Sequence, residues 1–403
     1  MDIRDEAMQL RNEKHQMIKT GLNAKMENSH DLAVVYTPGV AAPCLAIKEE
    51  EDKSLELTWR GNVVAVISDG TRVLGLGDIG PAAAMPVMEG KSALYKRFGN
   101  IDAIPIVLNT KDKDEIVRTI RILEKSFAGI NLEDFSSPKC YDIEDELKAT
   151  MNTPVSHDDQ HGTAIAALAA VLGALRLIKK GIGKAKVVMF GAGAAGTAIA
   201  RLLLEDGVKP ENMTVLNSKG ILYDDGRLNR VQKELAKQVN PENRQGTFAD
   251  AVKGADILLA TSAPAAFKEM HKEAIKTMAE KNVVFAMANP IPEMMLSDAQ
   301  ELGVYVFGTG RSDMPNQVNN SSVFPGLFRG ALDVRARQIN EPMKLAAAHA
   351  LADLVSDEEL KPEYVVVDVF DPRVPHAVAK ASAKAAIESG VARVTELPEQ
   401  YKD

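Results

Sequence analysis

Cysteine is nearly absent from this 403-residue chain, with Cys44 and Cys140 the two present. Two thiols are too few for a disulfide framework or a four-thiolate zinc site, so a reducing compartment is the default. Positive charge is also in deficit. Forty-eight Lys and Arg stand against 56 Asp and Glu, a net charge of −8. That balance argues against nucleic acid or an acidic membrane surface as an electrostatic partner. Long apolar runs are missing too: the charge-free stretch 32–47 is broken by Pro38 and Pro43 and falls short of the ~20 residues of a membrane span. Residues 1–15 are charged throughout and hold no apolar signal-peptide core. No period of about 20 to 50 residues recurs, and no segment is low in complexity, which argues against a solenoid. A cytoplasmic protein with no membrane or nucleic-acid partner is expected.

What is present is an ordinary globular mixture, 45% apolar and 26% charged, in a length that at ~150 residues per domain suggests two or three domains. Short β-branched runs alternate with helical patterns. Strands are expected at 63–67, 103–108 and 129–132, with helices at 86–98 and 112–125 between them. After residue 180 the alternation is cleaner, with strands expected at 186–190, 213–216, 256–260, 283–288 and 304–307. Repeated strand–helix–strand units imply parallel sheets covered on both faces. A long helix over 162–180 carries Ile165, Leu168, Leu172 and Leu175 as one apolar stripe. It follows the capping types Ser156, Asp158 and Asp159 and stops at Gly181. The expected fold is α/β in two domains: an N-terminal α/β domain over 1–155 and a Rossmann-type doubly wound domain over 156–403. The tail after 340 reads as Ala-rich helices.

The segment GAGAAG, comprising Gly191, Ala192, Gly193, Ala194, Ala195 and Gly196, fits the dinucleotide fingerprint in the right context, between an apolar strand and a helix. Gly191 permits the tight turn, Gly193 lets the backbone approach a pyrophosphate, and Gly196 allows close helix–strand packing. A second match, GLGDIG at 75–80, places Asp78 in the turn, where a carboxylate repels phosphate. Pro81 follows it, and Pro86 is expected to preclude an uninterrupted helix. That copy reads as a structural or substrate-site loop. The ribose-binding acid expected after the second strand is replaced by Asn217, then Ser218 and Lys219. An amide can bond a ribose hydroxyl and Lys219 can meet a 2′-phosphate, or the segment is a simple turn. The choice between NAD and NADP stays open.

Two adjacent acid pairs stand out, Glu133-Asp134 and Asp158-Asp159. Neighbours on a strand point to opposite faces, so Glu133 and Asp134 can converge only where the strand ends. Such oxygens suit hard ions such as Mg²⁺ or Mn²⁺. The competing readings are an exposed loop for the first pair and helix capping for the second. Lys91 lies among Val87, Met88, Leu94 and Tyr95 at helical spacing, which puts its amine in the apolar stripe. Burial would depress its pKa and make it a general base, unless the amine snorkels to the surface. Tyr36, at the end of an apolar run, reads on its own as a packing residue. His157 and His161 lack a third clustered ligand for zinc.

Taken in order, these motifs resemble the malic enzyme family, particularly its compact bacterial type. The strings are YTPGVA (36–41), SDGTRVLGLGDIG (68–80), GKSALY (90–95), NLEDF (131–135), HDDQHGTA (157–164), GAGAAG, ANP (288–290) and NNSSVFPG (319–326). They cover the chain from about residue 15 to about 340. The resemblance implies NAD(P)-dependent oxidative decarboxylation of L-malate to pyruvate and CO₂ with Mg²⁺ or Mn²⁺. It implies Tyr36 as general acid, Lys91 as general base and Asp158 as the partner of Lys91. Glu133, Asp134 and Asp159 would hold the metal. Arg72 would bind a malate carboxylate, and Asn289, Asn319 and Asn320 would lie near substrate, Asn289 also near nicotinamide. A homodimer is implied, with Tyr36 reaching the neighbouring site. Two other readings compete: a metal-dependent oxaloacetate decarboxylase on the same scaffold, and a non-catalytic dinucleotide sensor.

Overall fold

A computed structural model describes residues 3–14 and 16–402. Residues Val63 to Ile67 are fully buried because β1 (Val63–Ser68) runs through the middle of a parallel sheet. Its partners are β2 (Asp102–Val107), β3 (Gly129–Leu132) and β4 (Val155–His157), in the order β2-β1-β3-β4. Alternate side chains of β1 serve two cores. Val64 and Val66 pack in the large core with the helix Asp158–Ile178. Val63, Ala65 and Ile67 pack with Ile116 and Ile120 of the helix Lys113–Leu123 and with Ile143 and Leu147 of Lys139–Thr150. A strand covered on both faces needs apolar residues at every position, which is why 63–67 reads as a continuous run.

The second sheet has the order β10-β9-β8-β5-β6-β7. Here β5 is Val187–Phe190, β6 Met213–Asn217, β7 Gly220–Ile221, β8 Ile257–Ala260, β9 Val283–Ala286 and β10 Val306–Thr309. Only β7 pairs antiparallel. The chain leaves β5 toward β6 on one side and returns to β8 on the other, so the carboxyl end of β5 is a topological switch point, where such sheets bind ligands.

Four features depart from the sequence expectations. The helix Gly80–Gly99 runs straight through Pro86. Pro81 favours its start, and Ala82 and Pro86 lie on the exposed face, where solvent can serve the carbonyl that Pro86 leaves free. The long helix begins at Asp158, four residues before its expected start at Gly162, so both aspartates sit inside its first turn. That helix is long and apolar enough to cross a membrane, yet 67% of its most apolar window is buried in the protein. Finally, β4 went unanticipated. The Ala-rich tail folds back on the first sheet's side: Arg393 donates to the Asn152 carbonyl (3.0 Å) and pairs with Asp52 (3.2 Å).

Candidate active site

Lys91 is 7% exposed, and Met88 and Tyr95, one helical turn away, are fully buried. The apolar stripe therefore takes the amine inward, and no snorkelling occurs. Its Nζ donates to Glu133 Oε1 (3.0 Å) and to the Asp158 carboxylate, and it lies 4.1 Å from the centre of the Phe324 ring. Burial alone would lower its pKa, but Asp158 and Glu133 outweigh burial and hold it above the ordinary lysine value. The burial expected to lower the Lys91 pKa is therefore opposed by the two acids that face it, and the net shift is upward.

Glu133 and Asp134 follow β3 directly. Glu133 is anchored by its N–H to the Ile67 carbonyl (2.9 Å). Asp134 adopts φ +58°, a left-handed turn that breaks strand alternation at the end of β3. The Asp134 N–H donates to Asp159 Oδ2 (2.8 Å), tying the β3 turn to the first turn of the long helix. Burial pushes Asp134 up to about 8, with the Asp159 charge adding to it. Burial also raises Glu133 well above the carboxylate range, Lys91 opposing and the three aspartates reinforcing. Asp158 is raised by burial despite Lys91.

Among the described residues no group of three His, Cys, Asp or Glu side chains is arranged to hold a metal ion. Glu133 Oε1 is turned to Lys91, and Asp159 Oδ2 accepts from the Asp134 backbone, so the expected ligands do not yet converge. Their chemistry nonetheless fits a hard divalent cation. Asp134 Oδ2 is buried with no hydrogen-bond partner, and acids outnumber the one buried ammonium beside them. An unpaired buried carboxylate oxygen is costly unless protonated or bound to a cation.

Asn320 is also brought to this cluster. A Cβ on Gly162 would collide with Asp158 Oδ1 and lie 2.9 Å from the Asn320 Cβ. Asn319 bonds the Gly310 carbonyl (3.3 Å) and caps its own turn through Ser321 N–H (2.9 Å). Asn289 lies against Gly310, and Pro290 against Gly75, so the 289–290 turn meets the GLGDIG loop. Arg72 is exposed; its backbone N–H bonds the Asp134 carbonyl (2.9 Å) while its guanidinium donates to the Leu74 carbonyl (3.1 Å). Tyr36 is not brought in. It is 64% exposed at the end of the helix Ser29–Val35, which also corrects its reading as a packing residue.

Two neighbours were missed by sequence reasoning. Asn131, buried in β3, accepts from Tyr95 Oη (2.9 Å) and donates to Glu133 Oε2 (2.8 Å). A lone amide inside the apolar run of β3 was its available signal. Phe324, which faces the Lys91 ammonium, carried none beyond its motif.

The nucleotide loop has the expected form. Gly191 has φ +122°, and a Cβ there would lie 2.7 Å from the Thr261 carbonyl. A Cβ on Gly196 would collide with the Gly191 carbonyl, whereas Gly193 is open. The helix Ala194–Glu205 starts within the motif and has no side-chain cap at Gly193, which leaves its first-turn N–H groups for an anion. Ala192 is buried, and Ala194 and Ala195 are half-buried at the helix start. At the end of β6, Asn217 accepts from the Lys219 N–H (2.8 Å) and Lys219 Nζ bonds Asp225 (3.1 Å), with Ser218 exposed between them. The segment is folded as a turn.

Comparison with known proteins accords with this geometry. Residues 12–148 match the family model of the malic enzyme N-terminal domain and residues 160–388 that of the malic enzyme NAD binding domain. The chain is 50% identical to the bifunctional malic/malolactic enzyme of Bacillus subtilis (strain 168), over all of this chain and 98% of that one. It is 48% identical to the NAD-dependent malic enzyme of Geobacillus stearothermophilus, over 94% of this chain and 79% of the relative. The crystal structure of malic enzyme from Pyrococcus horikoshii Ot3 superposes with a TM-score of 0.91 at 42% identity, covering 97% of this chain and 92% of that one.

Proposed function

This chain belongs to the malic enzyme family, and we propose that it oxidises and decarboxylates L-malate to pyruvate and CO₂ while reducing NAD(P)⁺. The observation that carries this reading is the buried Lys91 ammonium between Glu133 and Asp158, beside the orphaned oxygen of Asp134. Glu133, Asp134 and Asp159 would hold Mg²⁺ or Mn²⁺. The ion, when bound, supplies Lewis-acid stabilisation of negative charge developing on the C2 oxygen of the substrate. The nucleotide, seated on residues 191–196, supplies the hydride acceptor.

The chain's own residues do the remaining work. Lys91 and Asp158 form a proton path for the C2 hydroxyl: the ammonium hands a proton to Asp158 and the freed amine takes the substrate's. Glu133 would be among the residues that hold the ion, and Asp158 would then be the anionic partner left to Lys91. Arg72 would swing from the Leu74 carbonyl to a substrate carboxylate, which its planar fork suits. Asn289, Asn319 and Asn320 would bound the substrate and nicotinamide. Tyr36 would return a proton to C3 of the enolpyruvate from a second copy of the chain.

The need for a second copy is supported by the N-terminal segment. The helices Ile3–Lys14, Ser29–Val35 and Ala41–Glu49 bury no residue, and Leu32, Val34, Val35, Leu45 and Trp59 are exposed with Tyr36. Such an apolar face is expected of a subunit interface. We assign residues 1–155 to substrate and metal, 156–403 to nucleotide, and the protein to a cytoplasmic homodimer; both cysteines are free, which suits a reducing compartment.

Purified protein given L-malate, Mn²⁺ and each nucleotide in turn should reduce at least one of them. No reduction with either would overturn the proposal. Oxaloacetate loss that proceeds at full rate without any reduction of nucleotide would favour the decarboxylase reading instead.

A further inference from the structure

The long helix that carries Asp158 and Asp159 starts without a cap of its own: its preceding residue, His157, makes no side-chain capping bond. The cap comes from another element. Glu144, on the helix Lys139–Thr150, accepts the His157 backbone N–H at 3.0 Å. The same carboxylate accepts from Gln160 Nε2 (3.1 Å), His161 Nε2 (2.9 Å) and Lys148 Nζ (2.7 Å). Glu144 is 3% exposed, so these bonds replace its water entirely.

The chain of contacts extends to the C-terminal helices. Lys344, 2% exposed on the helix Glu341–Ala352, lies 3.0 Å from His161 Nδ1 and 2.6 Å from Glu341. Lys344 Nζ and the Glu144 carboxylate face the two ring nitrogens of His161, an arrangement met by the tautomer in which Nδ1 accepts and Nε2–H donates to Glu144. We propose that Glu144, fixed by His161 and Lys344, is a positioning residue that sets the Asp158–Asp159 turn for proton transfer and metal binding. It bonds the flanking residues His157, Gln160 and His161 and acts through the backbone. Its lever is the His157 N–H, one residue from Asp158 and two from Asp159.

Burial would raise the Glu144 pKa, but His161, Lys148 and Lys344 hold it well below the carboxylate range. It is therefore a fixed anion at a helix start, where negative charge is favourable. Fixing the helix start from behind has a direct consequence: Asp158 and Asp159 need not supply the cap and are left to face Lys91 and Asp134.

This inference rests on the metal-dependent reading above, and the test separates the two. Mn²⁺ binding to nucleotide-free protein is measured by titration calorimetry, alongside kcat and the KM values for malate and nucleotide. Glu144→Gln removes the charge while keeping the shape. It should weaken Mn²⁺ about tenfold and lower kcat by a similar factor, with the NAD(P)H dissociation constant within about twofold of wild type. Lys344→Met, at the outer end of the network, should give a smaller loss of the same pattern and remains informative if Glu144→Gln does not fold. Wild-type Mn²⁺ affinity and kcat in a folded variant, with only a lowered melting temperature, would show a merely structural role and overturn the inference. Parallel loss of nucleotide binding would overturn it too. Wild-type protein that binds no Mn²⁺ would instead overturn the functional reading, and this inference with it.

Discussion

Lys91 joins two requirements that usually conflict. Its side chain is buried among apolar neighbours, yet it stays charged because Glu133 and Asp158 face it. Removing one partner of a buried charge pair leaves the others uncompensated, at a cost of about 3–5 kcal/mol. Lys91→Ala should therefore lower thermal stability as well as lower kcat by about 10²- to 10⁴-fold. NAD(P)H binding, read by nucleotide fluorescence, should survive within about twofold. Unchanged turnover in that variant would remove Lys91 from the chemistry, and the absence of any turnover in wild type would leave a dinucleotide sensor. Asp134 gives a pH prediction. Its folded pKa, about 8, lies above its unfolded value, so its contribution to stability is complete below the ordinary carboxylate range and fades as pH rises through about 8. Chelator-treated protein should melt progressively lower between about pH 5 and pH 9, and Asp134→Asn should flatten that slope. An identical slope in the variant would contradict the assignment.

Among the elements, two glycines carry the sharpest expectations. A methyl group on Gly162 has no room beside Asp158 and Asn320. Gly162→Ala should cost on the order of 100-fold in kcat, since small displacements of reacting groups are expensive, while nucleotide binding holds. Gly196→Ala, whose Cβ meets the Gly191 carbonyl, should do the reverse and raise the nucleotide dissociation constant first. The two variants assayed together separate the two halves of the site. The same elements show what sequence can reveal. Strands β1, β5, β8 and β9 were legible because burial on both faces demands unbroken apolar runs, and β3 because Asn131 is the one polar break in its run. β4 was not, since three residues ending in Ser156 and His157 carry no such run. The start of the long helix was misplaced because Asp158 and Asp159 read as caps, while the actual cap, Glu144, comes from a neighbouring helix. No periodicity records a contact of that range. The helix expected at 86–98 extends back to Gly80, because an exposed position tolerates Pro86 inside it. The carboxylate pairs were legible as a site from their types and spacing; the charge state of Lys91 was not, because it depends on partners 42 and 67 residues away.

At the scale of the whole molecule, the deficit of positive charge acquires a local meaning. An acidic protein that receives an acidic substrate needs cationic groups at the site, and Lys91, Arg72 and the ion would provide them. The exposed N-terminal face ties that site to assembly. Trp59 is the single tryptophan and is 58% exposed, so it reports on the proposed interface directly. Dilution of a dimer should shift its emission to the red as activity falls. Val35→Asp together with Leu45→Lys should yield a species with the mass of one chain and little turnover. Full activity at that mass would exclude a role for Tyr36 from a second copy. The central claim concerns the reaction itself, and product stoichiometry tests it most directly. With L-malate, Mn²⁺ and the nucleotide that is reduced, one pyruvate should form for each NAD(P)H, and a chelator should stop both together. Lactate without net nucleotide reduction, or reduction that continues without pyruvate, would contradict it.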